Sequence, residues 1–342
     1  MKPCIIRSIA AAGLALTAGL CPAQEIVFKV HHPLPPTSNS HQNLITPWCN
    51  KIAAESGGRM KCQIYPAMQL GGSPPQLVDQ VIDGVADIIW TVPTYQSGRF
   101  NKAEVFELPF MTTTAEKASP ALWEFIQKNA LDEFKGTKLI LTHVHDGSVL
   151  HFRKSQARSL EDMKGLTVRG PSRIGTRFLT AIGATPVSMP IPSVPEALAK
   201  GVVDGALVPW EVMTPFKLQE VAAVHVEGPQ GAAKMSNSIF IMAINQARYD
   251  RLPDDLKKII DQNSGLETSR WAGKVFDGPE ASARKISVER KNTFVSLTPE
   301  EYRRWQQAAA TVGEEWIKEM SGRGVNGKAL LEDAQALLKK YR

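Results

Sequence analysis

Apolar and polar residues alternate along Glu25–Val30 and again along Met60–Tyr65, the period-two signature of strands with one buried face. Between them, Ser38–Glu55 carries Leu44, Trp48 and Ile52 on one helical stripe, and Pro47 inside it should kink that helix. Ser73-Pro74-Pro75-Gln76 opens another helix: the serine can cap, Pro74 fits the first turn and Gln76 can reach back. Gly84 stops it, and Ala86–Trp90 reads as a strand. The same phrase returns downstream, where Ser193-Val194-Pro195-Glu196 opens a helix, Gly201 stops it and Val202–Val208 is a strand. Gly84-Val85-Ala86-Asp87 thus echoes Gly201-Val202-Val203-Asp204 at a separation too long for a solenoid repeat. It suits two α/β lobes of similar design, with strands at these units parallel through right-handed crossovers.

Beyond Asn245 the pattern turns helical. Leu252-Pro253-Asp254 begins a charged helical stretch to about Arg290. Thr298-Pro299-Glu300-Glu301 is a capping box for a helix toward Gly322, and Asn326 can cap a last amphipathic helix ending near Tyr341. No low-complexity linker separates the lobes, so the chain should cross between them more than once. The expected lobes are 24–148 with 236–277, and 149–235 with 278–342.

Composition narrows the class. The 342 residues, 43% hydrophobic and 22% charged, suit a globular protein of two domains. Lys and Arg outnumber Asp and Glu by 40 to 34, but the surplus is scattered and forms no basic stripe for nucleic acid. A mild positive field can instead draw in an anion. At the N-terminus, Lys2 and Arg7 precede an apolar run, Ile9–Leu20, too short to span a bilayer. Cys21-Pro22-Ala23 then offers a cleavage site, so residues 1–23 read as an export signal and the mature chain as periplasmic. A lipid on Cys21 is the alternative, which the bulky Leu20 disfavours. No later segment is long and apolar enough to cross a membrane. Cys49 and Cys62 remain after cleavage, and in an oxidising compartment they read either as a disulfide or as two small buried hydrophobes.

Catalytic signatures are missing. The sequence has no phosphate loop, zinc-protease pattern or nucleophile elbow. Gly322, Gly324 and Gly327 match a dinucleotide spacing but follow a helix, so they read as a helix–helix turn. His31 and His32 end the first strand. His143 and His145 share one face of a strand and could bind a metal, but no further ligand is evident and packed histidines are the favoured reading. No cofactor is implied. Arg169 stands out: it ends the apolar strand Leu166-Thr167-Val168 and precedes Gly170-Pro171, the C-terminal strand edge where open α/β sheets bind ligands. Its guanidinium fork matches a carboxylate; a surface ion pair is the plain alternative.

These residues resemble the periplasmic solute-binding subunit of tripartite ATP-independent periplasmic (TRAP) transporters, of the dicarboxylate-binding (DctP-like) type. The likeness runs from about Phe28 to the C-terminus. It is carried by Tyr65-Pro66 with Gln69-Leu70-Gly71, Val105-Phe106-Glu107-Leu108-Pro109, Leu160 through Arg169, Gly183-Ala184-Thr185-Pro186, Val202-Val203-Asp204-Gly205 and Leu252-Pro253-Asp254-Asp255, in that order. The resemblance implies a two-lobed α/β binding protein with a long helix spanning both lobes. It implies Arg169 as the carboxylate anchor, a sodium-driven membrane permease as partner and no ATPase. The receptor is expected to be monomeric.

Departures from the family bear on the ligand. Where sugar-acid binders of the family carry polar pocket groups, this chain has Val92, Val149 and Ala206-Leu207-Val208, with Ile191 and Pro192 before the second helix. A buried hydroxyl without a partner costs about 1–3 kcal/mol, so sugar acids should bind poorly. Trp90, Tyr95, Phe152 and Trp210 offer aromatic surface, and His32, Asn237 and Ser238 could meet a polar substituent. The expected ligand is a small aromatic or apolar monocarboxylate, such as a benzoate-like or aryl 2-oxo acid. Short aliphatic hydroxy or oxo acids, or a sugar acid despite those walls, are the competing ligands. A periplasmic enzyme or a sensor module on the same fold are the competing classes. Arg173, four residues beyond the anchor, could add a second cation.

Overall fold

The computed structural model describes residues 25–341; the expected export signal over 1–23 lies outside the described residues. The strands are β1 (Ile26–His31), β2 (Met60–Tyr65), β3 (Ile88–Thr91), β4 (Thr137–Val144), β5 (Ser148–Phe152), β6 (Thr167–Gly170), β7 (Thr185–Ser188), β8 (Gly205–Pro209), β9 (Val224–Glu227), β10 (Ile239–Asn245) and β11 (Thr293–Ser296). They build two sheets, ordered β2-β1-β3-β10-β4 and β11-β9-β5-β8-β6-β7. The first sheet thus takes back β10 after the second sheet's β9, and the second takes β11 from the helical C-terminal part. The chain passes between the lobes at Asp146-Gly147, between β9 and β10, and again through the C-terminal helices.

The repeated unit is real in three dimensions. Helices α1 (Thr46–Glu55), α2 (Leu77–Ile82), α3 (Ala115–Phe125), α4 (Arg173–Ala181) and α5 (Val194–Lys200) flank the sheets. Gly84 after α2 and Gly201 after α5 sit at φ 76° and 73°, left-handed geometry that a glycine adopts without steric penalty. The aspartate three residues on then clamps the neighbouring strand in each lobe. Lys29 N donates to Asp87 Oδ2 at 2.8 Å and Thr167 N donates to Asp204 Oδ2 at 2.8 Å. β3 is parallel to β1 and β8 is parallel to β6, as the crossovers require. Elsewhere the sheets are mixed: β10 runs antiparallel to β3 and β4, and β5 antiparallel to β8 and β9. β5 and β10 enter directly from the other lobe, so no crossover helix dictates their direction.

Local details differ from the sequence reading where backbone bonding decides. Ser40–Ile45 is a π-turn, and Pro47 lies in the first turn of α1, where its missing N–H is harmless, rather than at a mid-helix kink. Ser73 N donates to Gln76 Oε1 at 2.8 Å, completing the predicted capping box. Cys49 on α1 and Cys62 on β2 are joined in a disulfide, with Cα atoms 5.8 Å apart.

The charged stretch after Asn245 is four helices: α6 (Gln246–Asp250), α7 (Asp254–Gln262), α8 (Leu266–Asp277) and α9 (Glu280–Glu289). Then come α10 (Pro299–Gly322) and α11 (Gly327–Lys340). The long helix is α10. Its Trp305 and Ala309 lie in the second lobe's core and its Trp316 and Met320 in the first lobe's. α11 follows it onto the first lobe, where Ala334 and Leu338 join the core and Lys128 and Glu124 pair with Asp333 and Lys340. The sequence boundary placed all of 278–342 with the second lobe; the apolar stripe of α11 instead finds its partner on α3.

Candidate functional site

β6 ends in Arg169, and the chain turns at once into α4. Gly170 permits that turn, since a Cβ there would stand 2.9 Å from Thr176 Cγ2 and 3.0 Å from Thr176 N. Ser172 caps α4 by accepting from Gly175 N. Arg169 is only 2% exposed. Its Nε donates to Met189 O and its Nη1 to Leu207 O, both at 2.9 Å, with the Tyr95 hydroxyl nearby across the lobes. These partners are neutral. Among the described residues no carboxylate lies within ion-pair distance of Arg169, and burial pulls its pKa below the ordinary value. Several of its five N–H donors remain for another acceptor.

The guanidinium faces a cavity between the lobes. Trp90, Val92, Tyr95, Phe240 and Ser238 line it from the first lobe, and Arg169, Pro171, Ile191, Leu207, Pro209, Glu211 and Val212 from the second. Pro33 and Leu34 border it, as do His145 and Ser148 at the β4–β5 crossing. Trp90 stacks on Phe240 with ring centroids 4.9 Å apart and planes within 15°. His143 stacks on both Trp90 and Phe240, tilts against Phe276 and accepts from Trp90 Nε1 at 2.9 Å. His143 therefore serves the wall as packing, neutral because burial pushes its pKa to about 3. Tyr95 accepts from Ile191 N at 3.3 Å, so the same phenol braces both lobes.

Of the residues expected at the site, Arg169, Trp90, Val92, Tyr95, Ile191 and Ser238 meet around this cavity. Trp210, Val208, Val149, Pro192, His32 and Asn237 do not line it. β8 meets the cavity through Pro209 and through the Leu207 carbonyl that Arg169 holds; the Leu207 side chain joins the second lobe's core, while Val208 and its partner Val149 on β5 pack in the other core cluster. Trp210 is 1% exposed and packs with His151, His225 and Phe294, its indole N–H donating to Glu227. Phe152 is likewise in the second lobe's core. Asn237 Nδ2 donates to Thr112 Oγ1, and His32 Nε2 bonds His41 Nδ1. Arg173 is no second cation for the cavity: Glu104 and Glu319 hold its guanidinium. The residues the sequence did not single out include Pro209, Ser148, Glu211 and Phe240, which share no motif; His145 was read as a packed histidine or metal candidate and Leu207 only as part of an apolar run.

The cavity's edge nearest the crossing is polar. His145 Nδ1 accepts from Gly147 N at 2.9 Å, leaving Nε2 as the protonated nitrogen of a neutral ring whose pKa burial lowers to about 3. Glu211 is buried and burial raises its pKa to about 8. Deeper in the interface, Glu107 accepts from Thr94 and Ser172 hydroxyls at 2.6 Å and from Ile239 N at 3.1 Å, a lobe-to-lobe link with its pKa raised by burial. Among the described residues no three His, Cys, Asp or Glu side chains gather as a metal site.

Two α/β lobes closed over a buried cationic anchor define a bilobal binding protein for an anion. Comparison with known proteins gives the family. Residues 30–319 match the family of bacterial extracellular solute-binding proteins, family 7, and the chain belongs to it. A TRAP solute-binding protein from Rhodoferax ferrireducens, solved with copurified benzoate, is 46% identical, with a TM-score of 0.91 over 92% of this chain and 98% of that one. A marine metagenome TRAP solute-binding protein specific for aromatic acid ligands, solved with 3-hydroxybenzoate, is 42% identical, with a TM-score of 0.91 over 93% and 99%. One from Bordetella bronchiseptica, holding (R)- and (S)-mandelate, is 25% identical, with a TM-score of 0.85 over 93% and 100%. The chain is thus an extracytoplasmic solute-binding receptor of the TRAP type, and no helix among the described residues is long and apolar enough to cross a membrane.

Proposed function

We propose that this receptor binds a small aromatic monocarboxylate in the interlobe cavity and delivers it, as a monomer, to a TRAP permease. The observation that carries the reading is Arg169: a buried guanidinium with no carboxylate beside it, opening onto a cavity walled by Trp90 and Phe240. A buried charge requires an opposite one, and a single free cation selects one carboxylate. The walls select what the carboxylate is attached to. Val92, Ile191, Leu207 and Val212 offer a sugar's hydroxyls no partner, while a ring buries its apolar area at about 25 cal/mol per Å2. The relatives solved with benzoate, hydroxybenzoate and mandelate support the same ligand class.

Isothermal titration of the mature protein with benzoate, mandelate, succinate and galactonate tests this. Aromatic acids should bind and return chemically unchanged. Arg169→Ala should weaken them at least about thirtyfold, since removing one partner of a buried charge pair costs about 2–5 kcal/mol. Trp90→Ala should weaken them too, whereas Trp210→Ala should lower stability and leave affinity near wild type. Tight binding of succinate or galactonate with none of an aromatic acid would overturn the proposal.

A further inference from the structure

Three buried polar atoms along this cavity have no hydrogen-bond partner among the described residues: His145 Nε2, Ser148 Oγ and Glu211 Oε2. All three residues are at least nine-tenths buried and all three line the same cavity. A buried polar group left unmet costs about 1–3 kcal/mol, so three gathered at one place indicate a function rather than chance. Their position follows from the sheet. Arg169 rests its guanidinium on the Leu207 carbonyl of β8. Ser148 lies on β5, the next strand over, level with Pro209 two residues further along. At ordinary strand spacing and rise those points are about 8 Å apart. That is roughly the span of a benzene ring with a polar group at each end. Glu211 follows Pro209 by two residues and His145 precedes Ser148 by three, so both belong to the far end.

The geometry points to a second, neutral subsite at His145, Ser148 and Glu211 that takes a hydroxyl on the ring of the aromatic acid whose carboxylate Arg169 holds. This rests on the aromatic-acid reading above and narrows it to ring-hydroxylated members. The chemistry fits a hydroxyl on both sides. His145 Nε2–H donates to its oxygen, and the Glu211 carboxyl or Ser148 Oγ accepts its proton. A second carboxylate does not fit. His145 is neutral, and of the two cations that act on it Arg169 is taken by the first carboxylate and Lys234 is paired with Glu280. The Glu211 carboxyl, kept protonated because burial raises its pKa to about 8, supplies no positive charge to balance another anion.

The test compares Kd values for benzoate, 3-hydroxybenzoate, 4-hydroxybenzoate and benzene-1,3-dicarboxylate on wild type, Ser148→Ala and His145→Phe. The mature chain is used throughout. At least one ring-hydroxylated acid should bind about tenfold or more tighter than benzoate, and the dicarboxylate should bind weakest. Each variant should erase most of that preference, read as the ratio of the hydroxybenzoate Kd to the benzoate Kd on the same variant. Benzoate binding also reports that each variant is folded. If benzoate matches both hydroxybenzoates on wild type, or the preference survives in both variants, the subsite is refuted while the aromatic-acid reading stands. Failure of every aromatic acid to bind would instead sink the parent reading and the subsite with it.

Discussion

Glu211 makes a pH experiment possible with an internal control. It is buried, makes no hydrogen bond among the described residues, and desolvation alone raises its pKa from 4.5 to about 8. The folded state therefore holds a proton that the unfolded state releases above pH 4.5. A carboxyl whose folded pKa is raised contributes stability that falls as pH rises from the unfolded value to the folded one, and then levels off. Glu211→Gln keeps the shape and cannot ionise, so at pH 5 the two proteins should melt together. Between pH 5 and 8 the wild type loses about 1.4 kcal/mol per unit relative to the variant, approaching about 4 kcal/mol in all. For a chain of this size that separates the melting temperatures by roughly 5 °C, with the glutamine variant higher. Calorimetric scans at half-unit pH steps without ligand measure the gap directly. A gap that stays constant across the range would refute the burial of an uncharged carboxyl at the cavity, and with it the neutral character assigned to that end.

Two further outcomes follow from the architecture. The Cys49–Cys62 bridge closes a short loop at the edge of the first sheet, far from the cavity, so Cys49→Ala with Cys62→Ala should cost about 3 kcal/mol in urea unfolding and leave ligand affinity unchanged. Arg173→Ala removes a link between α4 and the first lobe without touching the cavity, so stopped-flow release should quicken several-fold while the association rate stays near wild type; unaltered release would remove the Glu104–Arg173 pair from any part in holding the lobes together.

Much of this molecule was legible in the sequence, and the rest failed for identifiable reasons. The twin helix–glycine–strand units were readable because Gly84 and Gly201 mark a left-handed stop that few other residues tolerate, and because Asp87 and Asp204 repeat the same strand clamp. Arg169 was readable because it combines a strand end with an unpaired cation. What failed was the choice within apolar runs. A strand such as β8 is buried on both faces, so its hydrophobic run carries no alternation to say which residues reach the cavity. Trp210 was assigned on its aromatic size and its place at the strand exit, and packs instead with His151, His225 and Phe294. His145 and Glu211 could not have been found from sequence, because nothing local distinguishes a satisfied buried histidine or glutamate from one whose partner is missing. The docking of α11 on α3 is a long-range packing event of the same kind.

Closure of the lobes can be weighed from the contacts that span them. Glu107 with Ser172, Glu104 with Arg173, and Tyr95 with Ile191 N all join the lobes without any ligand. Each is a single hydrogen bond or partly exposed ion pair, worth about 0.5–1.5 kcal/mol net. Against them stands Arg169, whose charge loses water on closure and gains only neutral oxygens, a penalty of several kcal/mol for a buried ion. The unmet atoms of His145, Ser148 and Glu211 add about 1–3 kcal/mol apiece. The opposing terms are the larger ones, so the latches alone do not hold the empty protein shut. A carboxylate on Arg169 cancels the largest penalty, and a ring hydroxyl at the far end cancels others. The same groups that recognise the ligand therefore also make closure conditional on it. A permease meeting the receptor can then distinguish loaded from empty by lobe geometry alone, without touching the ligand.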